Sequence, residues 1–253
     1  MKIGYSIFGK EYEIMLKNDL HDIQSIDHYF LKTMILLDEE SSSHLYCHKP
    51  TITNNITRHE LYEFSMQFKR SCSLDTIKEV TAFTTSIAKS FNVEFDDMIF
   101  GGTEKQIIER GTDWCADISR VGAVLLQCLG IPSRIIHLVN KQKAYNGHVV
   151  VEAFYENKFG IVDFLYGYIF YDQVPLSALD AMDNNDKIQK LFDLDINNDY
   201  SNLFFSIAIN EYDSMDKNNN YNLSKPNEYC SKIIHESKND GTWIMNEDKI
   251  LSD

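Results

Sequence analysis

Two stretches in the middle of the chain place apolar residues at three- and four-residue steps, the period of an amphipathic helix. The first starts at Ser73, a residue type that caps helices. The second follows Gly111 and stops at Gly130. The pattern predicts a helix over each stretch, with Thr112 or Asp113 capping the second. The apolar positions are Ile77, Val80, Phe83, Ile87 and Phe91 in the first helix and Ile118, Val121, Leu125, Cys128 and Leu129 in the second.

Beyond the second helix the apolar residues are mostly β-branched or aromatic and gather in short runs. Polar connections separate the runs, and they contain Asn146-Gly147 and Glu156-Asn157-Lys158. The sequence therefore predicts an antiparallel meander after the helix, and an α+β fold. The predicted strands are Arg134 to Val139, His148 to Tyr155 and Phe159 to Phe164.

Less regular segments flank this helix and meander, and the part after Asp172 is acidic and asparagine-rich. No linker or internal repeat divides the chain. We expect one domain over residues 1–253, with a core at 73–172, an N-terminal elaboration at 1–72 and a C-terminal elaboration at 173–253. Further helices are predicted around Asp22 to Leu37, Arg58 to Arg70, Glu104 to Glu109, Ser177 to Leu194 and Asn202 to Tyr212.

Composition narrows the classes of partner. The 253 residues are 43% hydrophobic, enough for one large core. The net charge of −14 means that a phosphate backbone or an anionic lipid surface is repelled on average. No apolar stretch has the length of a membrane span, and the first residues do not form a signal peptide. We expect a soluble cytoplasmic protein that binds neither nucleic acid nor membrane, and its oligomeric state is left open.

The sequence gives no disulfide or metal signal. Its five cysteines are an odd number without a CxxC pair. His44, Cys47 and His48 lack a fourth ligand and the paired spacing of a zinc site. The acidic run at 193–199 has Asn198 where a calcium loop needs glycine. We expect no metal and no cofactor.

Three polar residues have the chemistry of a thiol nucleophile site. Cys115 lies where the second helix begins, and a helix N-terminus stabilises a thiolate through its N–H groups and its dipole. Such a nucleophile needs a base within hydrogen-bond reach, and the base needs an acceptor behind it. Antiparallel pairing about the turn at Glu156 to Lys158 brings His148 and Asp163 side by side.

Four short motifs carry a resemblance to a known superfamily. They are Cys-Ala-Asp at 115–117, Gly-Ile-Pro-Ser-Arg at 130–134, His-Val-Val-Val-Glu at 148–152 and Phe-Gly-Ile-Val-Asp at 159–163. In this order they resemble the transglutaminase-like superfamily, whose core is similar to papain-type cysteine proteases. The resemblance covers the predicted core and implies a nucleophile helix packed on an antiparallel sheet.

The resemblance also implies a mechanism. It makes Cys115 the nucleophile, His148 the general base and then acid, and Asp163 the residue that orients the imidazole. The implied reaction cleaves a peptide or amide through an acyl-enzyme. As an alternative, an amine resolves the acyl-enzyme, which makes the protein an acyltransferase in peptide or small-metabolite biosynthesis. Substrates would be peptides, proteins or small amides and thioesters.

Three positions depart from the superfamily pattern. Many members have glycine where this chain has Asp113, an aromatic residue at Val150 and proline at Phe164. These departures bear on substrate class more than on chemistry. Asp113 also brings a negative charge near the thiol, which opposes the helix dipole unless the side chain caps the helix or faces solvent.

Three more residues are candidates for oxyanion or substrate contacts. Trp114 carries an indole that only donates, so it is a candidate second oxyanion donor. Glu152 either supports the site or pairs with Arg134. Tyr166 belongs to an aromatic cluster that either lines a cleft or packs in the core. A non-catalytic peptide- or protein-binding domain is a further alternative, in case the strand register separates the histidine from the aspartate.

Overall fold

Helices packed on an antiparallel sheet give this chain a mixed α+β fold, as predicted. The computed structural model describes residues 2–3, 34–37, 42–43, 45–46, 59–90, 99–100, 103–140, 143–182 and 203–208. The helices are α1 (His59–Ser65), α2 (Ser73–Ser90), α3 (Glu104–Arg110), α4 (Cys115–Cys128) and α5 (Ala178–Met182), with a 3-10 helix at Met66–Phe68. The strands are β1 (Lys2–Ile3), β2 (Met34–Leu36), β3 (Ile99–Phe100), β4 (Ser133–Asn140), β5 (Lys143–Tyr155), β6 (Lys158–Asp163), β7 (Tyr168–Ile169), β8 (Tyr171–Asp172), β9 (Val174–Pro175) and β10 (Leu203–Ala208). Within these ranges, no helix has both the length and the apolar character that crossing a membrane requires.

The main sheet has the strand order β2-β10-β4-β5-β6-β7, with antiparallel pairing throughout. Its centre, β4-β5-β6, is the predicted meander. Strands β5 and β6 meet at the pair Tyr155 and Lys158. The two residues between them, Glu156 and Asn157, have φ values of 52° and 63°, as in a type I′ hairpin turn. The predicted turn is confirmed, and it fixes the register of the two strands.

Helix α4 forms the centre of the core. All of its residues from Ala116 to Cys128 are buried, and it packs on β4, β5 and α2. The Ser119 hydroxyl donates to the Val149 carbonyl of β5 over 2.9 Å. Gly122 permits a close approach, since a Cβ at this position would lie 2.2 Å from the Phe164 ring. Helix α4 is therefore held against the middle of β5 and the segment just after β6.

The predicted helices agree with the structure in the core and differ from it at the flanks. Helices α2, α3 and α4 lie where the periodicity predicts them. The helix predicted around Arg58 to Arg70 ends at Ser65 and continues as the 3-10 helix. Helix α5 is the described part of the helix predicted near Ser177 to Leu194. Residues 22–33 and 183–194 lie outside the described part of the chain.

Two predicted helices are strands in the structure. Met34–Leu36 falls in the helix predicted around Asp22 to Leu37, and Leu203–Ala208 falls in the one predicted over Asn202 to Tyr212. The wrong prediction has a physical reason, because short apolar runs suit a buried strand as well as a helix. Here β10 pairs with β4 on one side and with β2 on the other. The segments at 1–72 and 173–253, which were expected to be elaborations, thus contribute β2 and β10 to the main sheet.

One predicted connection also lies inside a strand. The pair Asn146-Gly147 was expected between the first two strands of the meander, but β5 already begins at Lys143. Its first pair is Asn140 with Lys143, next to an irregularity in the β4–β5 ladder. His148 therefore lies within β5 and does not open it.

Candidate active site

Cys115 is the first residue of α4 and is half-buried with a free thiol. The helix begins there because Trp114 is its N-cap, with extended backbone angles of φ −87° and ψ 119°. The Trp114 side chain makes no capping hydrogen bond, and the first bond of the helix runs from the Ile118 N–H to the Trp114 carbonyl over 3.1 Å. The thiol thus lies at a helix N-terminus that no N-cap side chain covers, where N–H groups and dipole favour negative charge.

The predicted caps, Thr112 and Asp113, do not cap α4. The Thr112 hydroxyl instead accepts a hydrogen bond from the Trp114 N–H over 3.0 Å, which turns the chain one residue before the helix. Asp113 is half-buried, and its Oδ1 atom is buried without a hydrogen-bond partner among the described residues. Burial raises the pKa of Asp113, and a backbone hydrogen bond opposes part of this rise.

His148 and Asp163 are brought together on neighbouring strands. The His148 Nε2 atom lies 2.7 Å from the Asp163 Oδ2 atom, and both side chains are buried. The other carboxylate oxygen, Oδ1, accepts the backbone N–H groups of Leu165 and Tyr166, each over 3.0 Å. The carboxylate is thereby fixed on both oxygens. Because Nε2 faces the aspartate, Nδ1 is the ring nitrogen left for the thiol.

Cys115 completes this arrangement. Burial alone lowers the pKa of His148, but hydrogen bonds to Asp163 and Cys115, with the charges of both, outweigh it and raise the pKa to about 10. The imidazole is therefore cationic at neutral pH. The structure brings all three predicted residues into one hydrogen-bonded group, and this geometry is compatible with nucleophilic attack by the thiol and proton transfer through the ring.

Two aromatic residues flank the Cys115, His148 and Asp163 group: Tyr166 packs beside the His148 ring, and Trp114 precedes Cys115 in the chain. The Tyr166 ring is 5.3 Å from the His148 ring at an angle of 42°, and the residue is 46% exposed. Partial burial and the negative charges of Asp163 and Cys115 raise the pKa of Tyr166. Tyr166 therefore forms part of the solvent-facing wall of the site. Trp114 is half-buried and packs on the core, and its role as an oxyanion donor stays a prediction.

Glu152 pairs with Arg134, one of the two possibilities that its position on the strand predicts. Its side chain is fully buried and forms an ion pair with Arg134 at 2.7 Å. It also accepts the Tyr46 hydroxyl over 2.8 Å and the Ala178 N–H over 2.6 Å. This carboxylate joins the N-terminal segment and α5 to the sheet, and the contacts described for it include neither His148 nor Cys115.

The polar contacts between α3 and the first turns of α4 could not be predicted from sequence patterns. Arg110, the last residue of α3, forms a 2.9 Å ion pair with Asp117 in the first turn of α4. Deeper in the core, Arg120 lies 3.5 Å from Glu104. These pairs cross the break between the two helices, so they follow no periodic spacing that a single helix would display. They fix the approach of α3 to the residues that precede Cys115.

No family model, curated protein or solved structure matches this chain. The resemblance to the transglutaminase-like superfamily thus stays a prediction, carried by four motifs and their order. The described residues contain no group of three or more histidine, cysteine, aspartate or glutamate side chains placed to hold a metal ion. His44, Cys47, His48 and the acidic run at 193–199 lie outside these residues.

Proposed function

We propose that this protein is a thiol-dependent acyl-transfer enzyme of the transglutaminase-like, papain-related type, and that it cleaves a peptide or amide bond. One observation carries the proposal: His148 is held between the Asp163 carboxylate and the Cys115 thiol at the start of a helix. A buried strand histidine in a purely structural role needs one partner. Here one ring nitrogen is fixed by the carboxylate, and the other is left to a half-buried nucleophile.

The arrangement supports a two-step mechanism. The Cys115 thiolate attacks the carbonyl carbon, and the N–H groups at the start of α4 stabilise the negative charge that develops on the carbonyl oxygen. His148 gives its proton to the leaving amine as the C–N bond breaks, which leaves a thioester on Cys115. Water then attacks the thioester, His148 accepts the water's proton, and the C–S bond breaks to release the acid. Asp163 keeps the ring oriented in both steps.

The fold type is part of the same proposal. Papain-related enzymes carry the nucleophile at the start of a helix and the base on an adjoining antiparallel sheet. In this chain the helix is α4, the base is on β5 and the orienting carboxylate is at the end of β6. The agreement of these positions with the motif order supports the proposal independently of the side-chain distances.

Amide formation by an acyltransferase is the second candidate. The observation that favours it is a groove between α2 and the segment after Asp163, whose wall includes Tyr166, a residue that packs beside His148. Hydrolysis and transfer share the acyl-enzyme and differ in whether water or an amine reaches it.

Site-resolved alkylation tests the proposal. Cys72 is an exposed free thiol in the same chain and serves as the internal control. We expect iodoacetamide to alkylate Cys115 rapidly at about pH 6, where an ordinary thiol, with a pKa of about 8.5, is almost unreactive. Peptide mass spectrometry reports each cysteine separately. His148→Ala should slow the alkylation of Cys115 at this pH and leave Cys72 unchanged. A profile for Cys115 that follows Cys72, with no effect of His148→Ala, would contradict the proposal.

A further inference from the structure

The turn that follows Asp163 contacts the candidate catalytic histidine at two points. At one, the Asp163 Oδ2 atom lies 2.7 Å from the His148 Nε2 atom, and at the other the Tyr166 ring lies 5.3 Å from the His148 ring. The Gly167 N–H closes the turn by donating to the Asp163 carbonyl over 2.9 Å. A movement of this turn would therefore displace both groups that contact the imidazole.

Phe164, the residue directly after Asp163, is held by two helices. Its ring is fully buried and lies against Gly122 of α4, where a Cβ would come within 2.2 Å of the ring. Its carbonyl accepts a hydrogen bond from the Thr85 hydroxyl of α2 over 3.1 Å. The ring ties the turn to the helix that carries Cys115, and the carbonyl ties it to α2.

Thr85 differs from its buried neighbours on α2 in where its hydroxyl donates. The Thr81 hydroxyl donates to the Ile77 carbonyl over 2.7 Å, and the Thr84 hydroxyl donates to the Val80 carbonyl over 3.0 Å. Such bonds back to the preceding turn are common for a threonine inside a helix. The Thr85 hydroxyl instead leaves its own helix and reaches a carbonyl 79 residues further along the chain.

Gly167 permits this close contact between α2 and the turn. Its φ of 83° is a conformation that favours glycine, and a Cβ at this position would lie 3.0 Å from the Thr85 hydroxyl oxygen. Thr85 is buried, so water does not readily take the place of its hydroxyl at the Phe164 carbonyl. The position of the turn on α2 therefore depends on this one side-chain hydrogen bond.

We propose that Thr85 is a positioning residue for the acyl transfer: its hydroxyl fixes the turn that presents the Asp163 carboxylate to His148. Thr85 acts through the turn and does not itself take part in the chemistry. The inference depends on the proposed acyl-enzyme at Cys115. A displacement of about 1 Å at a reacting group can cost up to about 10²-fold in rate, so a single hydrogen bond that holds the turn has a measurable effect.

Thr85→Val tests the inference, because valine keeps the shape of threonine and lacks the donor. The rate of acyl-enzyme formation is measured on the full-length protein with p-nitrophenyl acetate: Cys115 attacks the ester carbonyl, the C–O bond breaks, and p-nitrophenolate leaves in a burst. We expect the burst rate of Thr85→Val to fall about tenfold. Thr85→Ser keeps the hydroxyl and should retain most of the wild-type rate.

Thr84→Val is the matched control. It removes the same hydroxyl from the adjacent, fully buried position, where the bonds run to the Val80 and Thr81 carbonyls of the same helix. We expect the folded protein to keep the wild-type burst rate, whatever the change in the midpoint of urea denaturation. The control thus separates a general effect on α2 from an effect on the turn.

The titration of His148 gives a readout that a change in stability alone would not alter. The ring faces Asp163, Cys115 and Tyr166. Burial lowers the pKa of His148, but the hydrogen bonds and charges of Asp163 and Cys115 raise it to about 10. A displaced carboxylate stabilises the cation less, so we expect this pKa to fall in Thr85→Val and to stay near the wild-type value in the serine variant and in the control. NMR of ring-labelled histidine measures the pKa, and the spectrum of His148→Gln assigns the signal.

Gly167→Ala disturbs the same contact from the side of the turn, and it should lower the burst rate and the pKa of His148 as Thr85→Val does. Wild-type values of both quantities in these two variants would overturn the inference, as would an equal loss in Thr84→Val. Either result leaves the thiol chemistry standing. Absence of a burst in the wild-type protein, together with ordinary alkylation of Cys115, overturns the proposed function and this inference with it.

Discussion

Strand β5 carries two buried ion pairs, four residues apart, with the same separation and different surroundings. His148 lies 2.7 Å from Asp163, and Glu152 lies 2.7 Å from Arg134. All four side chains are buried. In each pair a carboxylate on the sheet fixes a cationic partner in low dielectric, where an unpaired charge costs several kcal/mol.

The difference lies in where the hydrogen bonds end. The Glu152 carboxylate accepts bonds from Arg134, Tyr46 and Ala178, and the Arg134 guanidinium also donates to the Leu45 carbonyl and lies 3.8 Å from the Phe159 ring centroid. Each of these contacts is with another group of the protein, so this pair links segments that are distant in the chain.

The His148–Asp163 pair differs because it also contacts groups near the surface. His148 bonds to Asp163 and to Cys115, a half-buried thiol at a helix N-terminus. Tyr166 packs beside the His148 ring, and almost half of its surface is exposed. A buried ion pair thus serves stability when its contacts close on themselves. On the proposed mechanism, the His148–Asp163 pair supports chemistry, because the last group of its series is the half-buried Cys115 thiol at a helix N-terminus.

Removal of the orienting carboxylate should have the largest effect. Asp163→Ala leaves His148 without its acceptor, and we expect the rate of acyl-enzyme formation to fall about 10⁴-fold, as when the orienting member of a triad is lost. Asp163→Asn should lose activity to a similar extent, because its single amide oxygen is needed by the N–H groups of Leu165 and Tyr166, so that its NH₂ group faces Nε2 and favours the wrong tautomer of the ring. The burst of p-nitrophenolate released from p-nitrophenyl acetate as the acyl-enzyme forms measures both variants. A wild-type burst rate in either variant would show that Asp163 does not act through the ring.

A change in the Glu152–Arg134 pair should lower stability and leave the rate of acyl-enzyme formation unchanged. Glu152→Gln leaves the Arg134 guanidinium buried without its countercharge, at a cost of about 3–5 kcal/mol in the free energy of unfolding. The midpoint of urea denaturation gives this change. The folded fraction of the variant should form the acyl-enzyme at the wild-type rate. A variant as stable as the wild type but inactive would mean that Glu152 belongs to the site.

The central part of this fold was predictable from local chemistry. The α4 helix, the meander and the turn at Glu156 and Asn157 follow from the periodicity of apolar residues and from the short polar connection between two strand-like runs. That turn determines the β5–β6 register, and the register brings His148 to Asp163. The candidate site was therefore predictable because each step that assembles it is local or crosses a single hairpin.

The parts that could not be predicted depend on contacts distant in sequence. Whether Leu203–Ala208 forms a helix or a strand is decided by β4, more than sixty residues earlier, which offers an edge for pairing. The Tyr46 contact with Glu152 and the groove along α2 likewise join segments whose spacing carries no pattern. The cap of α4 was predicted wrongly for a more local reason, because the Thr112 hydroxyl accepts a hydrogen bond from the Trp114 N–H instead of capping the helix.

A pH titration of stability should sharpen the comparison between the two pairs. The pKa of His148 is raised from 6.5 to about 10 in the folded protein, so folding favours the protonated ring. The stability that this group contributes is fully present below pH 6.5 and is lost as the pH rises through about 10. We expect urea midpoints to fall across this interval, and to fall less steeply in His148→Gln. Parallel curves for the two proteins would rule out the raised pKa.

The smallest expected effect concerns Asp113, a carboxylate that belongs to neither pair. Burial raises the pKa of Asp113, and its buried Oδ1 atom has no hydrogen-bond partner among the described residues, so the ionised form opposes folding at neutral pH. We expect Asp113→Asn to raise the free energy of unfolding slightly at pH 7, with the gain disappearing as the pH falls and the wild-type carboxyl is protonated. The change also removes a negative charge two residues from the thiol, so alkylation of Cys115 at about pH 6 should accelerate. Urea denaturation and site-resolved alkylation measure the two effects in one variant. A gain in stability without faster alkylation would mean that Asp113 affects folding but not the thiol, and slower alkylation would mean that its carboxylate assists the nucleophile.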